Sequence, residues 1–190
     1  MPKHPIRERM LSTRRHCSAE TCLHLSLSIQ ERLLGSEFYR AARTVGLYCP
    51  IQNEVHTELL ARRCLADAKQ LFYPRVSGND LDFVEVKSLA ELAPGAFGIL
   101  EPRGKSPVPI SAIDLLVVPG VAFDLHGHRL GYGRGYYDQA LAGCSQDLER
   151  VGLAYEFQLV DRLPVDGHDC RLTGLVTEQR MLCFHHEAGR

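Results

Sequence analysis

Residues 114–141 decide the fold of this chain and read DLLVVPGVAFDLHGHRLGYGRGYYDQAL. The apolar run LLVV, which ends at a Pro-Gly pair, is typical of a buried strand followed by a loop. Three alternating glycines, the last of them Gly135, precede a segment whose apolar residues have helical spacing as far as about Cys144. The stretch therefore predicts a strand, a glycine-rich loop and a helix in that order.

The rest of the chain alternates between helical and extended patterns. Residues 5–34 form a basic helical segment, and its second half is the clearer because Ser18 can cap a helix that Gly35 ends. Further predicted elements are strands over 45–49, 70–73, 150–155 and 175–177 and a helix over 56–68. Residues 76–112 predict mostly loop, with a turn at 77–80 and a strand-like piece at 81–86. This order predicts an α/β fold: one compact domain over residues 1–190, with a mostly parallel, Rossmann-like sheet and helices on both faces.

Composition describes an ordinary soluble domain of 190 residues, 45% hydrophobic and 24% charged. A net charge of -1 supplies no general attraction to nucleic acid or to an anionic membrane. The longest apolar run, Ile113–Phe123, is too short to span a bilayer, and no apolar stretch follows the basic N-terminus as in a secretory signal. The seven cysteines form no CxxC pair, which predicts reduced thiols. We therefore expect a cytoplasmic protein without nucleic-acid or membrane partners.

The glycine loop has the chemistry of a phosphate site. Its glycines let backbone N–H groups converge on a phosphate, the helix N-terminus adds partial positive charge, and Arg129 and Arg134 add full charges. The loop reads GxGxG, so it lacks the GK[ST] ending of a P-loop and the GxGxxG of a dinucleotide fold. Three interpretations stay open: a polyphosphate site, a dinucleotide site of an oxidoreductase with Glu156 on the ribose, or a turn whose glycines serve packing alone.

Asp138 lies in the first turn of the helix that the loop opens. An aspartate there stabilises the helix N-terminus by a few tenths of a kcal/mol. It is also a candidate ligand for Mg²⁺, which takes one or two carboxylates and completes its shell with phosphate oxygens and water. The second role would let one ion join the phosphate and the protein.

The segment PGVAFDLHGHRLGYGRGYYDQAL at 119–141 resembles the signature of the 5-formyltetrahydrofolate cyclo-ligase family, also called 5,10-methenyltetrahydrofolate synthetases. Other segments resemble elements of that family in the same order: GLYCPIQNEVHT at 46–57, FYPRV at 72–76, GILEP at 98–102 and LPVDGHD at 163–169. The resemblance covers residues 6–178. It implies ATP as co-substrate, Mg²⁺ as cofactor, 5-formyltetrahydrofolate as substrate and a monomeric enzyme.

The resemblance also implies roles for single residues, centred on an ATP and folate loop over 127–138. The implied ATP-binding residues are Arg7, Arg129, Leu130, Gly131, Tyr132, Gly133, Arg134, Gly135, Tyr136 and Tyr137. The implied folate-binding residues are Cys49, Glu54, Tyr132, Gly133, Arg134, Gly135 and Tyr136. The implied magnesium ligands are Asp138 and Asp169.

The sequence departs from the family pattern at two positions. The second basic residue of the N-terminal pattern, four positions after Arg7, falls on Leu11, so Arg14 or Arg15 substitutes for it or the contact is missing. Thr173 stands where many relatives have Asp. Neither departure touches the glycine loop.

The reaction implied by the resemblance joins N10 of 5-formyltetrahydrofolate to its N5-formyl carbon and transfers the formyl oxygen to the γ-phosphate of ATP. Arg134, Tyr136 and Glu54 are the catalytic candidates. Glu54 would position the folate and assist proton movement at N10, Arg134 would neutralise migrating charge, and Tyr136 would contact the ligand while Tyr137 packs. A nucleic-acid-binding protein that uses the basic N-terminal arm is a further alternative, and it predicts salt-dependent binding.

Overall fold

The structure is a computed structural model that describes residues 3–78, 80–104, 106–145, 147–166 and 169–184. Its helices are α1 (Lys3–His16), α2 (Ala19–Leu34), α3 (Glu37–Ala41), α4 (Glu58–Ala66) and α5 (Tyr136–Leu141). Its strands are β1 (Thr44–Gly46), β2 (Gln70–Ser77), β3 (Asp80–Glu85), β4 (Leu92–Pro94), β5 (Leu100–Pro102), β6 (Pro107–Val108), β7 (Leu115–Val118), β8 (Ala122–Asp124), β9 (Arg129–Leu130), β10 (Glu149–Leu153), β11 (Leu159–Val160), β12 (Gly174–Val176) and β13 (Met181–Cys183).

The main sheet has eight strands in the order β13-β12-β10-β7-β1-β2-β3-β6. Its inner strands, from β12 to β2, are parallel, whereas β13, β3 and β6 pair antiparallel at the edges. Taken in chain order, the parallel strands follow the doubly wound order 2-1-3-4-5. The expectation of a mostly parallel, Rossmann-like sheet is thus right for the centre and wrong for the edges, and the sheet as a whole is mixed.

The antiparallel edge begins where β2 continues beyond its predicted end. Ser77 pairs with Asp80, as the turn predicted at 77–80 requires, and Gly78 has φ 63°, a conformation that favours glycine, while Asn79 lies outside the described residues. The strand-like piece at 81–86 forms β3, and β4, β5 and β6 follow it. The prediction of mostly loop over 76–112 is therefore wrong, because short strands in a proline-rich stretch lack a readable alternation.

Helices pack on both faces of the main sheet, as expected. On one face, Ile29 of α2 and Leu60 of α4 are buried against Val117 and other inward side chains of the strands. On the other face, Leu141 of α5 packs with Leu116 of β7. Neighbouring residues of one strand therefore serve opposite cores, which explains why β7 is a continuous apolar run.

The basic segment predicted to be helical over 5–34 consists of the two helices α1 and α2, and the second begins after Ser18 as predicted. Ser18 caps α2 by accepting a hydrogen bond from the Thr21 N–H at 3.1 Å, and Gly35 follows its last turn. The α1 helix packs through Ile6 and Met10 on β8 and β9 of a second, three-stranded sheet. It therefore lies beside the glycine loop that follows β9. None of the helices in the described ranges is long and apolar enough to cross a membrane.

Asp124 fixes the hairpin that leads into the glycine loop. Its carboxylate is fully buried and accepts hydrogen bonds from the N–H groups of His126 (2.9 Å), His128 (2.8 Å) and Leu163 (2.9 Å), and one from the His128 ring (3.0 Å). Burial raises the pKa of Asp124, but these hydrogen bonds lower it by more, so the pKa lies below its ordinary value. The ionised form therefore stabilises the hairpin.

We expect Asp124→Asn to lower the free energy of unfolding by about 3 kcal/mol at pH 7, because an amide can accept from fewer of these donors. Since the folded-state pKa is below the ordinary value of about 3.9, the stabilisation is complete above that pH and is lost as the pH falls. Urea unfolding at pH 7 and pH 3 measures both effects. The exposed Asp161→Asn is the matched control, and equal stabilities of Asp124→Asn and wild type at pH 7 would contradict the prediction.

Candidate functional site

A cavity of about 530 Å³ opens at the carboxyl ends of the parallel strands. Cys49 lines it shortly after β1, Pro119 lines it directly after β7, and Val76 lines it near the end of β2. The strands β1 and β7 are neighbours in the sheet. From β1 the chain continues to β2 on one side of this pair, and from β7 it continues to β10 on the other side. Ligands of doubly wound sheets bind at such a switch point, so the position of the cavity follows from the strand order.

The structure brings every sequence-predicted site residue to this one cavity. The lining includes Arg7, Cys49, Glu54, Arg129, Leu130, Gly131, Tyr132, Gly133, Arg134, Gly135, Tyr136, Tyr137, Asp138 and Asp169. Residues that are distant in the sequence, such as Arg7 and Asp169, therefore share one site.

The glycine loop joins β9 to α5 and has left-handed backbone at two of its glycines. Gly133 has φ 100° and Gly135 has φ 76°, so a side chain at either position would be strained. The helix that follows is shorter than predicted, with six residues from Tyr136 to Leu141. The positive charge at this loop therefore comes from arginines rather than from the helix.

Arg129 lies in β9, directly before the loop, and supplies part of that charge. Its side chain is 4% exposed and pairs with the Asp138 carboxylate, with Nη2 and Oδ1 2.5 Å apart. Its Nε is buried with no hydrogen-bond partner among the described residues, and so is the hydroxyl of Tyr137. Buried donors are normally paired, so the Arg129 Nε and the Tyr137 hydroxyl are exceptions, and each belongs to a side chain that also lines the cavity. Tyr137, expected to pack, does pack against the core and also lines the cavity.

Two carboxylates of the lining suit a divalent cation. Asp138 and Asp169 have side-chain exposures of 26% and 12%, and Lys3 Nζ lies 2.8 Å from Asp169 Oδ2. Within the described ranges, no three His, Cys, Asp or Glu side chains form a metal-binding group. Oxygen donors of this number fit Mg²⁺, whose remaining ligands are commonly phosphate oxygens and water.

Glu54 is a buried carboxylate in the same cavity. It is 4% exposed, its Oε2 accepts the Ile51 N–H at 2.9 Å, and its Oε1 accepts the Tyr132 hydroxyl at 2.9 Å. Burial raises the pKa of Glu54, whereas the Arg14 charge, the Ile51 N–H and the Tyr132 hydroxyl oppose that rise. A carboxyl tuned in this way in a cleft is a candidate for proton transfer or substrate positioning.

Cys49 lies in the lining but is not an activated nucleophile. Burial and then the negative charge of Glu101 raise the pKa of its thiol to about 12. The thiol therefore stays protonated at neutral pH, and the reactive form of cysteine is the thiolate. Cys49 can contact a ligand by packing.

Phe97 and Arg134 are two exposed residues of the lining that contact each other. The guanidinium carbon of Arg134 lies 4.2 Å from the centre of the Phe97 ring. Phe97 is 60% exposed and has φ 58°, which is unusual for a non-glycine residue. Sequence reasoning missed Phe97, because a single aromatic residue in a proline- and glycine-rich stretch carries no pattern.

The N-terminal arm turns several basic side chains inward. Arg7 Nε donates to the Gly131 carbonyl at 2.9 Å, and Lys3 holds Asp169 as described above. Leu11, where a basic residue was expected, packs against an apolar cluster, and Lys3, four positions before Arg7, lines the cavity instead. Arg14 is buried but does not line the cavity. The arm therefore offers few free cations to nucleic acid.

Two other residues singled out in the sequence lie away from the cavity. Thr173 is at the amino ends of the strands, where its hydroxyl accepts the Arg150 N–H at 2.8 Å. Its departure from the family pattern therefore leaves the cavity unchanged. Glu156, the candidate ribose ligand of a dinucleotide site, accepts the Thr177 hydroxyl at 2.6 Å and pairs with Arg180. It is absent from the cavity lining, which removes the main support for a dinucleotide site.

A doubly wound sheet with a glycine loop, a buried arginine and carboxylates at its switch point is typical of α/β enzymes that bind phosphate-bearing small molecules. Residues 1–178 match the model of the 5-formyltetrahydrofolate cyclo-ligase family. The chain belongs to the 5-formyltetrahydrofolate cyclo-ligase family of enzymes.

Individual relatives agree with this assignment. The 5-formyltetrahydrofolate cyclo-ligase of Mus musculus is 30% identical over 189 residues, which cover 93% of each chain. The enzyme of that name from Escherichia coli (strain K12) is 32% identical over 146 residues, 74% of this chain and 80% of that one. The NMR structure of Aquifex aeolicus 5,10-methenyltetrahydrofolate synthetase is 38% identical and superposes with a TM-score of 0.87 over 100% of both chains. The resemblance seen in the sequence is confirmed, and the oxidoreductase alternative gains no support.

Proposed function

We propose that this chain converts 5-formyltetrahydrofolate to 5,10-methenyltetrahydrofolate, using ATP and Mg²⁺ and releasing ADP and phosphate. The observation that carries the proposal is one cavity with two kinds of lining. Near the glycine loop it is lined by the arginines Arg129 and Arg134, and it is also lined by the buried carboxylate of Glu54. The first suits phosphate, and the second suits the N–H groups of a folate.

The chemistry needs an activated oxygen rather than an enzyme nucleophile. The formyl oxygen attacks the γ-phosphorus of ATP in line, and the bond to the leaving ADP oxygen breaks. N10 then attacks the formyl carbon, the carbon–oxygen bond breaks to release phosphate, and N10 loses its proton. Positioning and charge stabilisation supply the catalysis, which agrees with the protonated thiol of Cys49.

Each side chain would serve one part of this sequence. Arg129 and Arg134 would stabilise charge on the transferring phosphate, and Tyr136 would contact the ligands beside the loop. Glu54 would orient the folate and accept the proton at N10. Asp138 and Asp169 would hold Mg²⁺, which when bound would neutralise phosphate charge.

The direct test mixes the purified protein with 5-formyltetrahydrofolate and MgATP and follows the absorbance of the methenyl product. We expect product only when both ATP and Mg²⁺ are present, with EDTA stopping the reaction and excess MgCl₂ restoring it. Product formed without ATP, or no product under any of these conditions, would overturn the proposal.

Phe97→Ala should raise KM for the folate about fivefold to tenfold while changing kcat less. The reason is that an exposed aromatic ring in the lining can stack on a flat ligand ring, a contact of roughly 1 kcal/mol. Steady-state kinetics with folate and with ATP as the varied substrate measures the effect.

Leu100→Ala is the matched control for Phe97→Ala. Leu100 is 44% exposed and lies three residues further along the chain, outside the cavity lining. We expect its kinetics to equal those of the wild type. A Phe97→Ala variant with unchanged KM for the folate, or with a raised KM for ATP alone, would place Phe97 outside the folate contacts.

A further inference from the structure

Arg14 is a buried cation that has no carboxylate as a direct partner in the described part of the chain. It is 1% exposed, and its guanidinium donates to the Gln52 carbonyl at 2.8 Å, the Gly120 carbonyl at 3.4 Å and the hydroxyl of Tyr132. None of the ion pairs formed among the described residues includes Arg14. Buried charges are usually paired, so the nearest negative charge must be sought beyond these neutral oxygens.

That charge is Glu54, reached through one hydroxyl. Tyr132 accepts a hydrogen bond from Arg14 and donates one to Glu54 Oε1 at 2.9 Å. The direction is fixed, because a guanidinium can only donate and a phenol has one proton to give. We call this chain of contacts the Arg14–Tyr132–Glu54 relay. It makes Oε1 an acceptor, and the Ile51 N–H does the same for Oε2, as suits an ionised carboxylate.

Three phenols that lie near Glu54 are neutral. They are the phenols of Tyr48 and Tyr137 and the hydroxyl of Tyr155, which donates to the Glu54 carbonyl at 3.3 Å. Burial raises the pKa of each of these phenols, so none carries charge at neutral pH. Arg14 is the leading influence that opposes the rise in the pKa of Glu54 caused by burial.

We propose that Arg14 is a positioning residue of the reaction, which acts through the Tyr132 hydroxyl to keep Glu54 ionised and oriented toward the folate. Arg14 lies outside the cavity lining, so its role would be exerted through Tyr132 rather than by contact with a ligand. The proposal rests on the proposed function for its kinetic consequence, but the ionisation of Glu54 is a property of the ligand-free protein.

The relay is tested with Arg14→Gln and Arg14→Lys, using two readouts. The first is the ¹³C resonance of the Glu54 carboxyl, titrated by NMR in the ligand-free protein. The second is the pH dependence of kcat/KM for the folate. We expect Arg14→Gln to raise the midpoint of the Glu54 NMR titration by about one pH unit or more. The acid limb of the kcat/KM profile should move to higher pH by the same amount. Arg14→Lys retains the charge and should restore most of the wild-type titration.

Two further variants separate this role from a purely structural one. Arg15→Gln removes a neighbouring but exposed charge of α1 and should leave both titrations unchanged. Tyr132→Phe keeps the Arg14 charge but removes the bridging hydroxyl, and it should raise the Glu54 titration by a smaller amount, which keeps the test open if Arg14→Gln fails to fold.

A folded Arg14→Gln whose Glu54 titration is unmoved or moves downward would overturn the proposal, whatever its activity. So would an unmoved titration in Tyr132→Phe. An inactive wild-type protein would instead refute the proposed function, and the NMR titration would still decide whether Arg14 controls the ionisation of Glu54.

Discussion

Asp138→Asn should fold and lose at least about a hundredfold in kcat. The amide oxygen can still accept from Arg129 Nη2, which lies 2.5 Å from the native carboxylate, so the local geometry persists. The substitution removes the negative charge that would hold Mg²⁺ and leaves the buried Arg129 without its counter-charge, at an expected cost of about 2 kcal/mol in stability. Steady-state kinetics should show the lower kcat and at least about a tenfold rise in the Mg²⁺ concentration needed for half-maximal rate.

The exposed Asp147→Asn is the control for the same change of charge, and it should be fully active. Thermal unfolding of both variants confirms that the assays use folded protein. Near-normal kcat for Asp138→Asn at the Mg²⁺ concentration that saturates the wild type would remove Asp138 from the metal site. Its ion pair with Arg129 would then be its main role.

The centre of the fold could be predicted because its determinants are local. The run Leu115–Val118 serves two cores and is therefore apolar throughout, and Gly133 and Gly135 carry the left-handed conformation that their loop needs. Strand, helix, strand units then imply parallel pairing, and parallel pairing places the loops at one edge of the sheet. Most of the predicted site residues meet there because they follow those strands or lie in the glycine loop, whereas α1 brings Arg7 there and the segment before β12 brings Asp169.

The features that could not be predicted from the sequence depend on contacts between residues that are distant along the chain. The edge strands β3 and β6 pair antiparallel because the chain turns back after β2, and short strands give no period of their own. Lys3 and Arg14 read as members of a basic arm, yet one pairs with Asp169 and the other reaches Glu54 through Tyr132. Only the packing of α1 on β8 and β9 shows which of its basic residues point inward.

Glu54→Gln should lower kcat/KM for the folate by about a hundredfold or more, because an amide cannot accept the N10 proton. Its effect on stability should also depend on pH, in the direction set by the pKa of Glu54. Burial raises the folded-state pKa of Glu54 above its ordinary value of about 4.3. The protonated side chain therefore contributes to the free energy of unfolding below about pH 4.3, and that contribution is lost as the pH rises through the folded-state pKa. Glutamine never ionises and escapes that loss. Urea unfolding should therefore show the variant gaining stability relative to the wild type between pH 4 and pH 7.

The control for Glu54→Gln is Glu58→Gln, an exposed residue in the first turn of α4 that pairs with Arg62. It should retain activity, and its stability relative to the wild type should not rise between pH 4 and pH 7, because the wild-type carboxylate there is solvated. Near-normal activity of Glu54→Gln would show that the carboxylate does not act on the folate. The opposite stability result would be a Glu54→Gln variant that loses stability relative to the wild type between pH 4 and pH 7. That result would show that ionised Glu54 stabilises the fold, and the burial of this carboxylate would then need no functional reason.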